Sequence, residues 1–133
     1  MKKTNMIGAA VLVGTLSVSS ILMASGNNLR LTPYSAQTQT MIEEQMLDGA
    51  VIVTKDGCPV CKKQVAELEM VLKQSEFANL KIHQINFKDP LASEKFKVSR
   101  QSTIIVYKDG KEVSRTTGLT DAKEISKELN KAI

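Results

Sequence analysis

Cys58 and Cys61, the two cysteines of the sequence, are separated only by Pro59 and Val60. Thiols at this spacing can form a disulfide and exchange it with other thiols through a mixed disulfide. A bridge that closes so short a loop constrains the unfolded chain little, which argues against a purely structural disulfide. We therefore interpret the pair as redox-active.

The residues around the pair predict a strand followed by a helix. Val51, Ile52 and Val53 form a short apolar run that ends at the turn residues Asp56-Gly57, as expected for a buried strand. From Pro59 onward the apolar residues recur at helical spacing, and proline suits the first turn of a helix. Cys58 is therefore expected at the helix N-cap and Cys61 about one turn later.

This placement makes the two thiols chemically unequal. The free N–H groups and positive dipole end of the helix favour the thiolate form of Cys58, and three neighbouring lysines add to the effect. Cys61 lies further inside the helix and should be less exposed. We therefore predict that Cys58 is the attacking sulfur and Cys61 the resolving sulfur.

Together with this strand–helix unit, the rest of the chain predicts helices and strands in the order α-β-α-β-α-β-β-α. The two strands near the C-terminus are joined by Lys108-Asp109-Gly110-Lys111, a strong signal for a tight hairpin. The segments expected besides the cysteine-bearing unit are a helix over Thr38–Leu47, a strand over Leu80–Phe87, a short helix after Asp89, strands over Thr103–Tyr107 and Glu112–Thr117, and a helix after Asp121.

With the Cys-Pro-Val-Cys motif on a strand–helix junction and this later hairpin, the chain resembles the thioredoxin superfamily over about residues 40–133. The resemblance implies an α/β fold with a central mixed four-stranded sheet flanked by helices. It also implies thiol–disulfide oxidoreductase activity through Cys58 and Cys61. Substrate contacts are then expected from Pro59, Val60, Gln101, Ser102 and Thr103.

The sequence departs from the family pattern at several positions. Gly57 replaces the tryptophan that usually precedes the first cysteine, and Ser102 occupies the position of the family's cis-proline. The buried aspartate and its lysine partner correspond to Ile52 and Gln84, so both members of that charged pair are replaced together. The Gln101–Ser102 bond is expected to be trans, because a cis bond before a residue other than proline is costly.

The first residues predict export. Met1-Lys2-Lys3 is basic, and Met6–Ala24 contains no charge, a pattern typical of a secretory signal or a single N-terminal membrane anchor. We expect residues 1–26 to be this segment, residues 27–39 a linker and residues 40–133 the thioredoxin-like domain. The domain is then periplasmic or otherwise extracytoplasmic, either secreted or membrane-anchored.

Charge and composition narrow the partners. The net charge of +4 includes Lys2 and Lys3, which leaves +2 for the remainder, and aromatic residues make up only 4% of the chain. No basic stripe alternates with aromatic residues, so nucleic-acid binding is not expected. We expect a monomer that acts on protein thiols or disulfides and exchanges electrons with a redox partner protein, without a cofactor or a metal.

Two alternatives remain open from the sequence. The same fold could serve as a non-catalytic redox-sensing or protein-binding module, with the disulfide as a switch. Two cysteines supply only half of the ligands of a zinc site, and the only histidine, His83, is predicted on a strand away from them. A metal or iron–sulfur site shared between two chains is therefore a third interpretation. The direction of electron flow is not encoded in any recognisable motif.

Overall fold

The computed structural model describes residues 30–133, so the predicted leader, residues 1–26, lies outside the described residues. The strands are β1 (Leu31–Pro33), β2 (Gly49–Thr54), β3 (Lys81–Asn86), β4 (Thr103–Lys108) and β5 (Lys111–Thr117). The helices are α1 (Ala36–Glu43), α2 (Pro59–Val71), α3 (Pro90–Glu94) and α4 (Ala122–Leu129), with 3₁₀ turns at Ser75–Phe77 and Asn130–Ala132.

The strands form one mixed sheet in the order β1-β3-β2-β4-β5. β2 runs parallel to β3 and antiparallel to β4, and β4 forms the predicted hairpin with β5. Asp109 and Gly110, at φ 50° and 70°, make the hairpin turn with two left-handed residues, as the sequence predicted. The α/β class with a mixed sheet flanked by helices is therefore confirmed.

Two apolar clusters cover the two faces of the sheet. On one face α2 and α4 pack on Ala50, Ile52, Ile82 and Ile104. On the other face α1 and α3 pack on residues of the opposite alternation, which include Val51, Val53, Ile85 and Ile105. Because β2 is buried along its whole length, the strand that carries the cysteine helix is fixed from both sides.

In the part of the chain that the structure describes, the sheet has five strands rather than the four that the sequence predicted. β1 lies in the stretch expected to be a linker, residues 27–39, and pairs in parallel with β3. α1 also begins inside that stretch, at Ala36, with Ser35 as its N-cap. The interpretation of residues 31–39 as a linker is therefore wrong. The strand was not recognisable in the sequence, because three residues that end in proline are too few to show an alternation of apolar and polar side chains.

β1 is held by side-chain contacts to residues far along the chain. The Arg30 guanidinium donates hydrogen bonds of 2.8–3.1 Å to four backbone carbonyls, those of Leu72, Phe77, Ala78 and Leu80. These carbonyls belong to the end of α2 and the turn that follows it. The segment before α1 is thus part of the folded domain.

Candidate active site

The two cysteines lie where β2 passes into α2. Cys58 is the N-cap of α2, with extended backbone angles, and Pro59 occupies the first turn. The Cys61 backbone N–H donates a 3.1 Å hydrogen bond to Cys58 Sγ. Cys58 is partly exposed, whereas only 3% of Cys61 is exposed. The predicted asymmetry between an accessible first sulfur and a covered second sulfur is present in the structure.

The cysteines form a disulfide, and their Cα atoms are 5.3 Å apart. Ser102, from the loop before β4, lies against both sulfurs. Its Oγ is 2.9 Å from Cys61 Sγ and 3.5 Å from Cys58 Sγ. The motif and the loop that precedes β4 therefore form one site, although more than 40 residues of sequence separate them.

The Ser102 loop has an unusual backbone. The Gln101–Ser102 bond is trans, because residues 30–133 contain no cis peptide bond, and Ser102 has φ 61° in the left-handed region. Its N–H donates to Val53 O at 2.8 Å, and its carbonyl accepts from Gly118 N at 2.8 Å. These bonds connect the loop to β2 on one side and to the end of β5 on the other.

Gln64 reinforces this loop from α2. The side chain is fully buried, and its Nε2 donates 3.0 Å hydrogen bonds to the carbonyls of Ser102 and Leu119. We did not anticipate this residue from the sequence. A signal was present, because Cys61, Gln64 and Leu68 follow one another at helical spacing on the buried face of α2. A glutamine on such a stripe needs buried polar partners.

Within residues 30–133, two clefts border the cysteines and meet at Cys58. One, of about 440 Å³, brings together Cys58, Pro59, Val60, Gln101 and Ser102. These are the predicted catalytic and substrate-contacting residues except Cys61 and Thr103. Also along this cleft lie two cations: Lys55, one of the three lysines expected near Cys58, and Arg100, which the sequence did not single out.

Thr103, which was also predicted to contact substrate, is buried at the start of β4. It is 2% exposed, and its Oγ1 donates to Arg100 O at 2.8 Å and lies 3.0 Å from Thr117 Oγ1. The side chain thus supports the loop and does not line the cleft that the other predicted residues share.

The second cleft, of about 600 Å³, reaches Cys61 from the side of β2 and β3. Its wall includes Thr54 and Gln84, and Gln84 Nε2 donates a 2.6 Å hydrogen bond to Thr54 Oγ1. Ile52 is fully buried in the neighbouring apolar cluster. The two positions that correspond to the family's charged pair therefore hold an apolar side chain and a neutral amide.

His83 lies outside the site. Its Nδ1 is 3.0 Å from Thr32 Oγ1 of β1 and 3.0 Å from Thr38 Oγ1 of α1. Burial of the ring, with a smaller contribution from the charge of Lys81, lowers the pKa of His83 from its ordinary value of 6.5. This histidine connects three elements and is not among the residues that line the two clefts beside the cysteines.

The described part of the chain contains neither a metal-binding cluster nor a membrane-spanning helix. Within residues 30–133, no group of three or more His, Cys, Asp or Glu side chains is arranged to hold a metal ion. Over the same residues, no helix is both long enough and apolar enough to cross a membrane.

The fold and the disulfide at a helix N-terminus define a thiol–disulfide oxidoreductase of the thioredoxin-like class. No protein-family model matches the chain, but individual relatives do. The chain is 35% identical to the thioredoxin of Chlamydia caviae over 76 residues, which are 56% of this chain and 72% of the relative. It is 30% identical to the thioredoxin of Chlamydia muridarum over 96 residues, which are 71% and 93% of the two chains.

Solved structures agree with these relatives. The crystal structure of Trxlp from Edwardsiella tarda matches with a TM-score of 0.69 and 36% identity, over 74% of this chain and 97% of that one. Fasciola hepatica thioredoxin, at 20% identity, shares the fold with a TM-score of 0.60 over 78% and 99% of the two chains. The chain belongs to the thioredoxin superfamily, as the sequence resemblance predicted, and it is a thiol–disulfide oxidoreductase.

Proposed function

We propose that the protein is an exported oxidoreductase that exchanges disulfides with protein partners, with Cys58 as nucleophile and Cys61 as resolving thiol. The observation that carries the assignment is the difference between the two sulfurs. Cys58 Sγ is at the accessible N-cap of α2 and accepts the Cys61 N–H at 3.1 Å, whereas Cys61 is almost fully buried. A positioned N–H donor and the helix dipole stabilise negative charge on Cys58.

The exchange proceeds in two balanced steps. The Cys58 thiolate attacks one sulfur of a partner disulfide, a mixed disulfide forms, and the electron pair of the broken bond leaves on the partner's other sulfur. The Cys61 thiolate then attacks Cys58 Sγ, which forms the Cys58–Cys61 disulfide and releases the second partner thiolate. The same steps in reverse oxidise a partner dithiol.

The cleft beside Cys58 supports a protein partner. It is open, contains the exposed Pro59 and Val60, and includes the loop backbone at Gln101 and Ser102. The charged residues that line it are the cations Lys55 and Arg100 and the anion Asp56, so the cleft carries a net positive charge. An extended peptide that carries a cysteine and acidic neighbours fits this combination of shape and charge.

Trapping variants test the roles of the sulfurs. Cys61→Ser should accumulate mixed disulfides with partner proteins on Cys58, because the resolving thiol is missing, whereas Cys58→Ser should accumulate few or none. Non-reducing gels and mass spectrometry of the linked peptides measure both. Faster alkylation of Cys61 than of Cys58 at neutral pH in the reduced protein would contradict the assignment.

Export rests on the charge pattern of Met1–Ala24. An alkaline phosphatase fused after Ile133 should be active, because that enzyme needs its disulfides and acquires them outside the cytoplasm. An inactive phosphatase, with an active cytoplasmic reporter at the same fusion site, would show that the domain stays inside. Light scattering of the purified chain tests the proposed monomer.

A further inference from the structure

Ser102 has closer contact with the resolving sulfur than with the attacking sulfur. Its Oγ is 2.9 Å from Cys61 Sγ and 3.5 Å from Cys58 Sγ, and the residue is only 3% exposed. A buried hydroxyl at the shorter distance can donate its proton to the sulfur, and such a bond strengthens when the sulfur is charged. The contact is therefore worth most in the state in which Cys61 is a thiolate.

Among residues 30–133, Cys61 Sγ has little other hydrogen-bond support for negative charge. The N–H donor at the start of α2 is directed at Cys58 Sγ and not at Cys61 Sγ. Ile52, in the sheet below, is apolar and fully buried. Gln84 Nε2, in the adjoining cleft, is bonded to Thr54 Oγ1 at 2.6 Å. Within residues 30–133, the side chain that forms a hydrogen bond with Cys61 Sγ is the hydroxyl of Ser102.

We propose that Ser102 is a catalytic residue whose hydroxyl donates a hydrogen bond to Cys61 Sγ whenever that sulfur carries negative charge. The proposal deepens the exchange reaction described above and rests on it. It assigns to Ser102 a role on the resolving sulfur, in addition to the substrate contact expected for this loop.

The hydroxyl acts in both directions of the reaction. When the thiolate of a partner dithiol attacks Cys58 Sγ, the Cys58–Cys61 bond breaks and its electron pair passes to Cys61 Sγ, which the Ser102 O–H stabilises as a leaving group. In the opposite direction, the hydrogen bond from Ser102 keeps a fraction of Cys61 in the thiolate form, which attacks the mixed disulfide. Ser102 keeps its proton throughout, and the partner's second thiol supplies the proton that Cys61 finally takes up.

Gln64 is a positioning residue for this hydroxyl. Its Nε2 bonds to the carbonyls of Ser102 and Leu119 fix the loop to α2, the helix that carries Cys61. Its Oε1 is buried and has no hydrogen-bond partner within the described residues, so the two carbonyls set the orientation of the amide. A left-handed residue such as Ser102, at φ 61°, persists only where its surroundings hold it.

The test uses the full chain in the Cys58→Ala background, where Cys61 is a single thiol. The rate at which iodoacetamide alkylates Cys61 is measured against pH, with Ser102 and with Ser102→Ala. Loss of the hydroxyl should move the alkylation profile upward by about one pH unit, a tenfold change in the ionisation equilibrium. Ser102→Gly should move it by a similar amount, since it also lacks the hydroxyl but does not strain the left-handed backbone.

Thr54→Val is the matched control. Thr54 Oγ1 lines the cleft on the other side of Cys61 and is bonded to Gln84 and to neither sulfur. Its loss should leave the Cys61 profile in place. An unchanged profile in both Ser102 variants would overturn the proposal, and so would an equal shift in Thr54→Val, because that result would indicate a general disturbance.

Gln64→Leu should shift the same profile in the same direction, and Gln64→Leu with Ser102→Ala should shift it no further than Ser102→Ala alone. Additive shifts would overturn the positioning role. The profile is measured without a partner protein. A failure of Cys61→Ser to trap partners would therefore count against the proposed function, while the profile still decides the role of Ser102.

Discussion

At the scale of single residues, Ser102 has a backbone that proline cannot adopt. Its φ is 61°, and its N–H donates to Val53 O at 2.8 Å, whereas proline fixes φ near −65° and has no N–H. A trans peptide with a left-handed serine takes the place of the proline that the family carries here. The loop therefore contacts the sulfurs through the hydroxyl of Ser102 and not through a proline ring.

The stability of variants at Ser102 should therefore depend on whether the new residue can adopt the left-handed backbone, and not on the size of its side chain. Ser102→Pro should lower the free energy of unfolding by more than about 1 kcal/mol, because it loses the bond to Val53 and conflicts with the observed φ. Ser102→Gly should be neutral or slightly stabilising, since glycine adopts positive φ without strain. Chemical denaturation of the oxidised proteins measures both, and equal stability of the two variants would contradict the assigned backbone.

The sequence was sufficient for the cysteines but not for their surroundings. The spacing of Cys58 and Cys61 and the strand–helix junction are local signals, and the structure places both residues as predicted. The contact of Ser102 with Cys61 depends on a loop 41 positions away and on a left-handed backbone that no local pattern specifies. The resemblance to the family implied a substrate contact for Thr103, whereas the alternation of β4 directs its side chain toward Thr117.

At the scale of elements, the β4–β5 hairpin packs against the end of α1. Gly110 at the hairpin turn has φ 70°, and a Cβ there would lie 2.4 Å from Ile42 O and 2.6 Å from Gln45 Cα. Its N–H donates to Leu47 O at 2.9 Å. The turn is thus fitted to the loop after α1 with no room for a side chain.

Gly57 offers a matched comparison, because it has φ 72° and a Cβ at this position would meet no heavy atom of the surrounding structure within 4 Å. Gly57→Ala and Gly110→Ala should share the strain of positive φ, and Gly110→Ala should lose about 1–3 kcal/mol more from steric overlap. Thermal or denaturant unfolding measures the difference. Equal losses would show that the hairpin does not pack tightly on this loop.

His83 links β1, α1 and β3 in a way that depends on pH. Because its pKa is lowered in the folded state by burial, the unfolded chain binds the proton more readily. Its contribution to stability is complete above the unfolded pKa of about 6.5 and is lost as pH falls below that value. Lys81, on the same strand, repels the protonated ring and acts in the same direction.

We therefore expect the stability of the wild type to fall from about pH 7 to pH 5.5 more steeply than that of His83→Gln, which does not titrate in this range. Denaturant unfolding at each pH gives the two curves, and carboxylates common to both proteins cancel in the difference. Parallel curves would show that the ring is as easily protonated in the folded protein as in the unfolded chain.

The elements that the sequence predicted well are those with strong local patterns. β2 is a continuous apolar run, the hairpin contains Asp109-Gly110, and α2 begins with proline. β1 was missed because its stabilisation comes from pairing with β3 and from Arg30, whose carbonyl partners lie 42–50 residues away. Such long-range contacts leave no trace in a segment of three residues.

At the scale of the whole molecule, we expect the fold to persist without its disulfide. The apolar clusters on the two faces of the sheet do not include the cysteines. The bridge spans a sequence separation of 3, and closing so short a loop contributes at most about 2 kcal/mol in the chain-entropy model. The molecule can therefore change redox state without losing its core.

Reduction should accordingly lower the free energy of unfolding by no more than about 2 kcal/mol, with unchanged far-ultraviolet circular dichroism. Denaturant unfolding with and without a dithiol reductant measures the change, and the Cys58→Ala/Cys61→Ala double variant serves as the control that reductant cannot affect. A reduced protein that unfolds at room temperature would show that the disulfide is structural.

The short β1 strand also has a consequence for behaviour at high concentration. An open sheet edge is a template on which other chains can add strands and aggregate, and natural edges are made short, charged or interrupted by proline. Over residues 30–133 the edge strands are β1 and β5. β1 is three residues long and ends in Pro33, while β5 exposes Lys111, Glu112 and Arg115 to water. Both edge strands thus disfavour pairing with another chain. A chain shortened to begin after Pro33 would leave β3 as a longer edge strand that is more prone to aggregation.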